Sequence, residues 1–194
     1  PPAALGRIHF VSPGDSYTVD GRSYSASDDN DGLSPERAVR TIAQANTNIT
    51  ASAGEVIFLL PGTHSPAATL RIAKAGITIV GARSPFASDL VAGSAFAGMT
   101  MPTRVSFVTA AAPGWSIEAD NIEICFLELR PASGFGTVYF RNASPDALYI
   151  HDVVFNLAAG QAISLDTSGI DFGYRADTAG LATRSMSRLT QITQ

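Results

Sequence analysis

Two stretches that share one pattern decide the fold of this chain. Residues 70–79 read LRIAKAGITI, and residues 115–124 read WSIEADNIEI. Large apolar residues fall at the same places in both stretches, and Gly76 of the first corresponds to Asn121 of the second. Gly and Asn are the residue types that best tolerate a positive φ. The sequence therefore predicts that the two stretches form the same structural unit, each with a bend at the corresponding position.

The apolar pattern continues toward the C-terminus in steps of about 22–26 residues, a spacing typical of a solenoid. The predicted inward columns are Ile72, Ile117 and Phe140; Ile77, Ile122, Leu148 and Ile170; and Ile79, Ile124, Ile150 and Phe172. The residues that alternate with them are predicted to point outward, namely Thr78, Glu123, Tyr149 and Asp171. In such a fold each coil satisfies its backbone groups by pairing with the coils before and after it. An extra loop is expected within residues 82–101.

A short strand over 8–11, a turn and an amphipathic helix are predicted ahead of the coils. Ser34 suits an N-cap and Pro35 the first helical position, and Ala38, Val39, Ile42 and Ala45 share one helical face. These features predict a helix over residues 35–47. A helix at this place is expected to cover the unpaired backbone groups at the N-terminal edge of the coils.

Composition narrows the classes of function. The chain has 194 residues, 45% of them hydrophobic and only 15% charged, which excludes disorder. The net charge of −4 and the absence of basic runs argue against a nucleic-acid partner. No apolar run approaches the roughly 18–20 residues of a membrane helix, so no membrane partner is expected. The single cysteine, Cys125, excludes a disulfide framework and is predicted to be a buried packing residue.

The opening of the chain resembles a known family. The strand ending in Val-Ser-Pro, the segment NDGLSPERAVRTIAQA (residues 30–45) and the segment EVIFLLPGTH (residues 55–64) carry the resemblance. Together they resemble the N-terminal cap and first coil of right-handed parallel β-helix proteins of the pectate-lyase-like superfamily. An insertion between Pro13 and Asp29 and the small number of coils depart from that pattern.

The resemblance implies an all-β fold, a right-handed parallel β-helix (solenoid) with an N-terminal capping α-helix. We expect a single domain over residues 1–194. Its expected parts are an N-terminal strand, loop and capping helix (8–54), the β-helix coils (55–172) and an irregular C-terminal tail (173–194).

Proteins of this fold include polysaccharide lyases, polygalacturonase-like hydrolases, secreted adhesins and surface proteins of tailed bacteriophages, so the fold alone does not select a function. The polygalacturonase-like motifs Asn-Thr-Asp, Gly-His-Gly and Arg-Ile-Lys are absent. The outward arginines have no acidic cluster at the spacing that lyase chemistry with calcium needs. The segment DDNDG (residues 28–32) lacks the downstream glutamate of a calcium loop and is predicted to be a turn. No catalytic residue and no cofactor is therefore assigned.

The favoured hypothesis is a non-enzymatic structural or binding component of a virion surface, such as a head spike, a decoration protein or a tail spike. One alternative is a lyase or glycoside hydrolase acting on cell-surface or plant polysaccharide, with Asp152 and Asp171 as carboxylates on neighbouring coils. The second alternative is a secreted, extracellular bacterial adhesin.

Candidate glycan-binding residues are those with rings or polar groups at outward positions, namely Tyr139, Tyr149, His151, Asp152 and Asp171. A flat apolar ring pairs with the face of a pyranose sugar. A zinc site needs three or four ligands, and the histidines are far apart in sequence, so no metal site is assigned. His9 is expected at a strand edge and His64 in the turn after Pro61-Gly62.

The end of the coils near Phe172 is expected to lack a next layer. An exposed sheet end invites association. We therefore expect the end to be covered by the tail itself, by a further C-terminal domain or by neighbouring subunits. Because trimers are common among the phage spikes of this family, the resemblance implies a homo-oligomer, a trimer, in which residues 173–194 lie across a neighbouring subunit. Other virion proteins and polysaccharide are the further expected partners.

Overall fold

The computed structural model describes residues 6–50, 54–82, 103–108, 114–130, 138–142, 148–155, 164–167, 170–172 and 176–178. The strands in these ranges are β1 (Ile8–Val11), β2 (Ser16–Val19), β3 (Arg22–Ser25), β4 (Val56–Leu59), β5 (Gly62–His64), β6 (Leu70–Ile72), β7 (Ile77–Gly81), β8 (Thr103–Ser106), β9 (Trp115–Ile117), β10 (Ile122–Cys125), β11 (Glu128–Arg130), β12 (Val138–Asn142), β13 (Leu148–His151), β14 (Val153–Phe155), β15 (Ser164–Thr167), β16 (Ile170–Phe172) and β17 (Ala176–Thr178). The chain is thus mainly β, as its sequence predicts.

Three parallel sheets take up most of these strands. Over the described ranges, the first sheet has the order β1-β4-β7-β10-β13-β16, the second β5-β8-β11-β14-β17 and the third β6-β9-β12-β15. From β4 onward the chain visits the first, second and third sheets in turn. Each strand therefore pairs with the strand three places later along the chain. Strands β2 and β3 form a separate antiparallel hairpin.

The register of the first sheet confirms two predicted columns. Ile122 is aligned with Ile77 on one side and Leu148 on the other, and Leu148 with Ile170. The second column aligns Ile79, Ile124, Ile150 and Phe172. Every predicted inward residue whose side chain is described is buried, namely Ile72, Ile77, Ile79, Ile117, Ile122, Ile124, Leu148 and Ile150.

The third predicted column is wrong at Phe140. Strand β12 aligns Phe140 with Trp115, and Asn142 with Ile117. Because successive strand residues alternate between faces, a shift of two positions keeps each residue on its face. The apolar pattern alone therefore does not distinguish the two registers. The side chains of Phe140 and Phe172 lie outside the described residues.

The helix predicted over residues 35–47 is wrong in its first half. Pro35–Arg37 form a single 3-10 turn, and α1 covers Ile42–Asn48. Val39, between them, is bound to β1: its N–H donates to Phe10 O at 3.0 Å and its carbonyl accepts from Ser12 N at 2.9 Å. The backbone of Val39 thus pairs with a strand, which a continuous helix from residue 35 would prevent.

The N-cap residue of helix α1 is Thr41, whereas the sequence predicts Ser34. The Thr41 hydroxyl accepts a hydrogen bond from Gln44 N at 3.1 Å, which satisfies one of the free N–H groups of the first turn. Asp28 in turn accepts from the backbone N–H groups of Arg40 and Thr41 at 3.0 and 2.9 Å. The acidic turn thus fixes the start of the helix.

The helix packs on early strands of the first and third sheets. It contacts β1, β4 and β6, and its buried residues Ile42 and Ala45 join the apolar core. Among the described residues, no helix is long and apolar enough to cross a membrane.

The parallel sheets continue past residue 172. Ala176–Thr178 form β17 and pair in parallel with β14, so the tail is not irregular from residue 173 onward. The rest of the tail, and the loop expected within residues 82–101 except Ala82, lie outside the described residues.

Candidate binding site on the first sheet

A polar cluster lies on the outward face of β10 and β13. The inward residues of these strands, such as Ile124 and Ile150, are buried in the core. Because side chains alternate between the faces of a strand, Glu123, Cys125, Tyr149 and His151 share the opposite face. Strand pairing aligns Glu123 with Tyr149 and Cys125 with His151. Neighbouring strands therefore hold four chemically distinct side chains together.

The two strands end in the same kind of bend. Phe126 follows β10 with a φ of 55°, and Asp152 follows β13 with a φ of 50°. A positive φ is uncommon for a residue other than glycine, and aspartate tolerates it better than most. The bend after β13 places the Asp152 carboxylate beside the ring of His151.

His151 is bound between two carboxylates. Its Nε2 lies 2.8 Å from Glu123 Oε1, and its Nδ1 lies 3.0 Å from Asp152 Oδ2. The second oxygen of Glu123, Oε2, accepts a hydrogen bond from the hydroxyl of Thr78 at 2.9 Å. The polar contacts thus run from β7 across β10 to the end of β13.

These contacts change the acid–base properties of His151. Burial by itself lowers the pKa of His151, but the hydrogen bonds to Asp152 and Glu123 and the charges of both carboxylates outweigh that effect. The pKa of His151 is therefore raised above its ordinary value of 6.5. The protonated ring is the form that donates to both carboxylates at once.

Cys125 lies next to this charged group. Its Sγ, a carboxylate oxygen of Glu123 and a ring nitrogen of His151 all lie within 4.8 Å of one another. The thiol is buried, as the sequence predicts, and burial and the charges of Glu123 and Asp152 raise its pKa to about 12. The thiol of Cys125 is therefore protonated at neutral pH and is a poor nucleophile.

Tyr149 forms the exposed surface of the cluster. It is 42% exposed, which is unusual for a large aromatic residue. Its ring centroid lies 4.6 Å from that of His151, with the ring planes 34° apart. Phe126 contacts the His151 ring by its edge, with the centroids 5.9 Å apart. The aromatic contacts hold His151 in place and leave Tyr149 open to solvent.

The structure brings three of the five candidate residues together. Tyr149, His151 and Asp152 form one site. Asp171 lies in β16 and is aligned with Tyr149, one strand further on, although its side chain lies outside the described residues. Tyr139 lies in β12, on the third sheet, so it is not part of this site.

Sequence reasoning did not assign Glu123, Cys125 or Thr78 to this site. The repeat nevertheless predicts their closeness. The register that aligns Ile124 with Ile79 and Ile150 also aligns Glu123 with Thr78 and Cys125 with His151. Cys125 lies between two apolar residues: Ile124 is buried on the other face of the strand, and Phe126 contacts the ring of His151.

The other two histidines lie elsewhere. His9 is on the outermost strand of the first sheet, but it points inward, is only 3% exposed and lies 3.1 Å from Glu55 Oε2. The prediction of a turn at His64 is wrong, because this residue ends strand β5 and is buried. Burial lowers the pKa of His64, and the hydrogen bond between its Nε2 and Leu60 O partly opposes that effect.

The sequence matches no protein-family model, no curated protein and no solved structure.

Proposed function

We propose that the chain is a right-handed parallel β-helix in which each round of three strands is one coil. The support is the cyclic strand order, which repeats in parallel register through β4 to β17. A right-handed path is proposed because nearly all connections between parallel strands have that hand. The position of α1 against the first strands supports its role as the N-terminal cap.

On this scaffold we propose a non-enzymatic binding function directed at glycans. The observation that carries the proposal is the exposed ring of Tyr149, which packs on His151 beside Glu123 and Asp152. An aromatic ring offers an apolar face to the C–H groups of a sugar. Carboxylates accept hydrogen bonds from sugar hydroxyls. Ring and carboxylates together provide both kinds of contact that a pyranose needs.

The chemistry of the cluster favours binding over catalysis. Both carboxylates contact the same imidazole, and the only thiol of the sequence has a pKa raised to about 12. A catalytic pair in a glycosidase consists instead of two carboxyl groups that face each other across the scissile bond. We propose that Glu123 and Asp152 position and contact the ligand and do not cleave it.

We further propose that the protein is part of a virion surface, as a head spike, a decoration protein or a tail spike. This proposal rests on the resemblance of residues 30–45 and 55–64 to the cap and first coil of right-handed parallel β-helix proteins of the pectate-lyase-like superfamily, which include surface proteins of tailed bacteriophages. Its partners are then further copies of the chain, as a trimer, and other virion proteins. Immunogold electron microscopy of intact particles tests this location.

The glycan-binding proposal is tested with the variant Tyr149→Ala. Binding of purified bacterial surface polysaccharides is measured by biolayer interferometry for the wild-type chain and for the variant. We expect Tyr149→Ala to weaken binding at least tenfold, because stacking on the exposed ring is lost. The matched control is Tyr24→Ala, which removes a tyrosine of the β2–β3 hairpin and is expected to leave binding unchanged. Equal binding by wild type and Tyr149→Ala contradicts the proposal.

A further inference from the structure

We propose that Glu123, Cys125 and His151 form a zinc-binding site on the outward face of the first sheet. The site is distinct from the sugar-stacking role of Tyr149, although the two lie side by side. The proposal rests on three observations: the closeness of three donor atoms, the second contacts that orient two of them, and the chemical nature of the donors.

The donor atoms are close enough to share one ion. A carboxylate oxygen of Glu123, the Sγ of Cys125 and a ring nitrogen of His151 all lie within 4.8 Å of one another. Bonds of about 2.0–2.3 Å to a tetrahedral zinc ion place donors about 3.3–3.6 Å apart. The 2.8 Å between Glu123 Oε1 and His151 Nε2 is shorter than this separation, so binding of an ion requires these two atoms to move apart.

The backbone holds these donors in place without a loop. Cys125 and His151 are directly aligned on neighbouring parallel strands, and Glu123 lies two residues before Cys125 on the same face. Because the register of the sheet is fixed by its buried columns, the three Cα positions are fixed too. A site on rigid strands requires little ordering when the ion binds.

Two further residues orient the donors. Asp152 contacts Nδ1 of His151 at 3.0 Å, and Nε2 is the nitrogen that contacts Glu123. Histidine ligands of zinc commonly bind a carboxylate through the second ring nitrogen in this way. Thr78 occupies Oε2 of Glu123 with a hydrogen bond of 2.9 Å, which leaves Oε1 for the ion.

The donor set selects the class of metal. A thiolate, an imidazole and one carboxylate suit zinc and similar transition metals, whereas calcium and magnesium take oxygen ligands. Binding requires that Cys125 lose its thiol proton to solvent and that His151 Nε2 be unprotonated. The bound ion then supplies positive charge beside Glu123, and the neutral ring of His151 donates from Nδ1 to Asp152. Three protein ligands leave one coordination position for water or for a group from another molecule.

The test uses cobalt as a spectroscopic probe for zinc. Co²⁺ is titrated into the reduced full chain in the absence of any glycan, and the near-ultraviolet thiolate-to-cobalt charge-transfer band is followed. We expect the band to saturate at one ion per chain and to disappear on addition of Zn²⁺ or a chelator. Because the chain contains a single cysteine, the band reports Cys125 directly.

Variants identify the other ligands. Cys125→Ser is expected to abolish the band and His151→Ala to abolish saturable binding, and circular dichroism checks that each variant folds. Asp152→Asn keeps the exposed bend after β13, since Asn also tolerates positive φ, and is expected to weaken Co²⁺ binding about 10–100-fold. The matched control Glu36→Gln, on the exposed 3-10 turn, is expected to bind as wild type.

The proposal is overturned if no charge-transfer band forms, or if His151→Ala and Asp152→Asn bind Co²⁺ as tightly as wild type. If Cys125→Ser does not fold, the Co²⁺ affinity of Asp152→Asn still tests the proposal. Weaker binding than wild type supports the site, and equal binding overturns it. Tyr149→Ala is expected to retain Co²⁺ binding while it loses glycan binding. Failure of the metal site and failure of the glycan proposal are thereby measured separately.

Discussion

His151 Nε2 lies 2.8 Å from Glu123 Oε1, although 28 residues separate the two along the chain. They meet because β10 and β13 are neighbours in the first sheet and Cys125 is aligned with His151. A contact made between two stacked strands exists only while their register is kept. The cluster therefore depends on the buried columns beneath it.

The inward register is tested by Ile124→Asp. Ile124 lies between Glu123 and Cys125 in sequence but is fully buried, aligned with Ile79 and Ile150. A carboxylate at this position has no water around it, which costs several kcal/mol. We expect the variant to be unfolded or to melt far below the wild type in thermal unfolding followed by circular dichroism. Tyr149→Asp, on the outward face, is the control and is expected to fold; wild-type stability of Ile124→Asp refutes the register.

Close packing between the end of β7 and the bend after β10 is tested by Gly81→Ala. A Cβ atom at Gly81 would lie 2.2 Å from the backbone oxygen of Phe126 and 2.5 Å from Leu127 Cδ2. Since a backbone atom cannot rotate away, the strands must separate, at a cost of about 1–3 kcal/mol. Urea unfolding is expected to show a lower midpoint. Gly14→Ala is the matched control, because nothing lies within 4 Å of the added atom. Equal midpoints for both variants would contradict the packing.

The pH dependence of stability is expected to include a contribution from His64. Burial lowers its pKa in the folded protein below 6.5. As the pH falls through 6.5, the unfolded chain takes up a proton that the folded chain does not bind, so stability decreases by up to about 1.4 kcal/mol per pH unit. His64→Gln keeps an N–H donor for Leu60 O but cannot take up a proton. The variant is expected to lose less stability than wild type between about pH 7.5 and 5 in urea unfolding; parallel curves would argue against this contribution.

Assembly is tested by light scattering on the purified chain. In the described part of the chain, β15, β16 and β17 are the last strands of their sheets, so each has one edge without a described partner strand. Such edges bind further strands or are covered. We expect the mass of three chains. A monomer whose residues 179–194 resist proteolysis would show instead that the chain covers its own end.

The repeating apolar pattern predicted the part of the fold that depends on burial. Ile122 and Ile124 face the core in the predicted register because a shift by one residue would expose both. The strand partner of Phe140 was predicted wrongly because a shift of the register by two residues leaves every residue of the strand on the same face. The start of the helix was misplaced because Ser34 and Pro35 suit a helix locally, whereas the hydrogen bonds of Val39 to β1 are long-range contacts.

The site was predicted only in part for a related reason. Tyr149, His151 and Asp152 are close in sequence and were recognised as outward residues. Glu123 and Cys125 join them through the alignment of β10 with β13. That alignment follows from the same repeat, which sets Glu123 beside Tyr149 and Cys125 beside His151.

The central claim, that this chain binds glycan without cleaving it, is tested most directly by size-exclusion chromatography with multi-angle light scattering of a bound surface polysaccharide. The polysaccharide is incubated with the protein, and its molar mass is followed with time. We predict that the protein co-elutes with the polysaccharide and that the polysaccharide mass does not change. A polysaccharide mass that falls with time, and that Asp152→Asn or Asp171→Asn keeps constant, would contradict the claim and establish an enzyme.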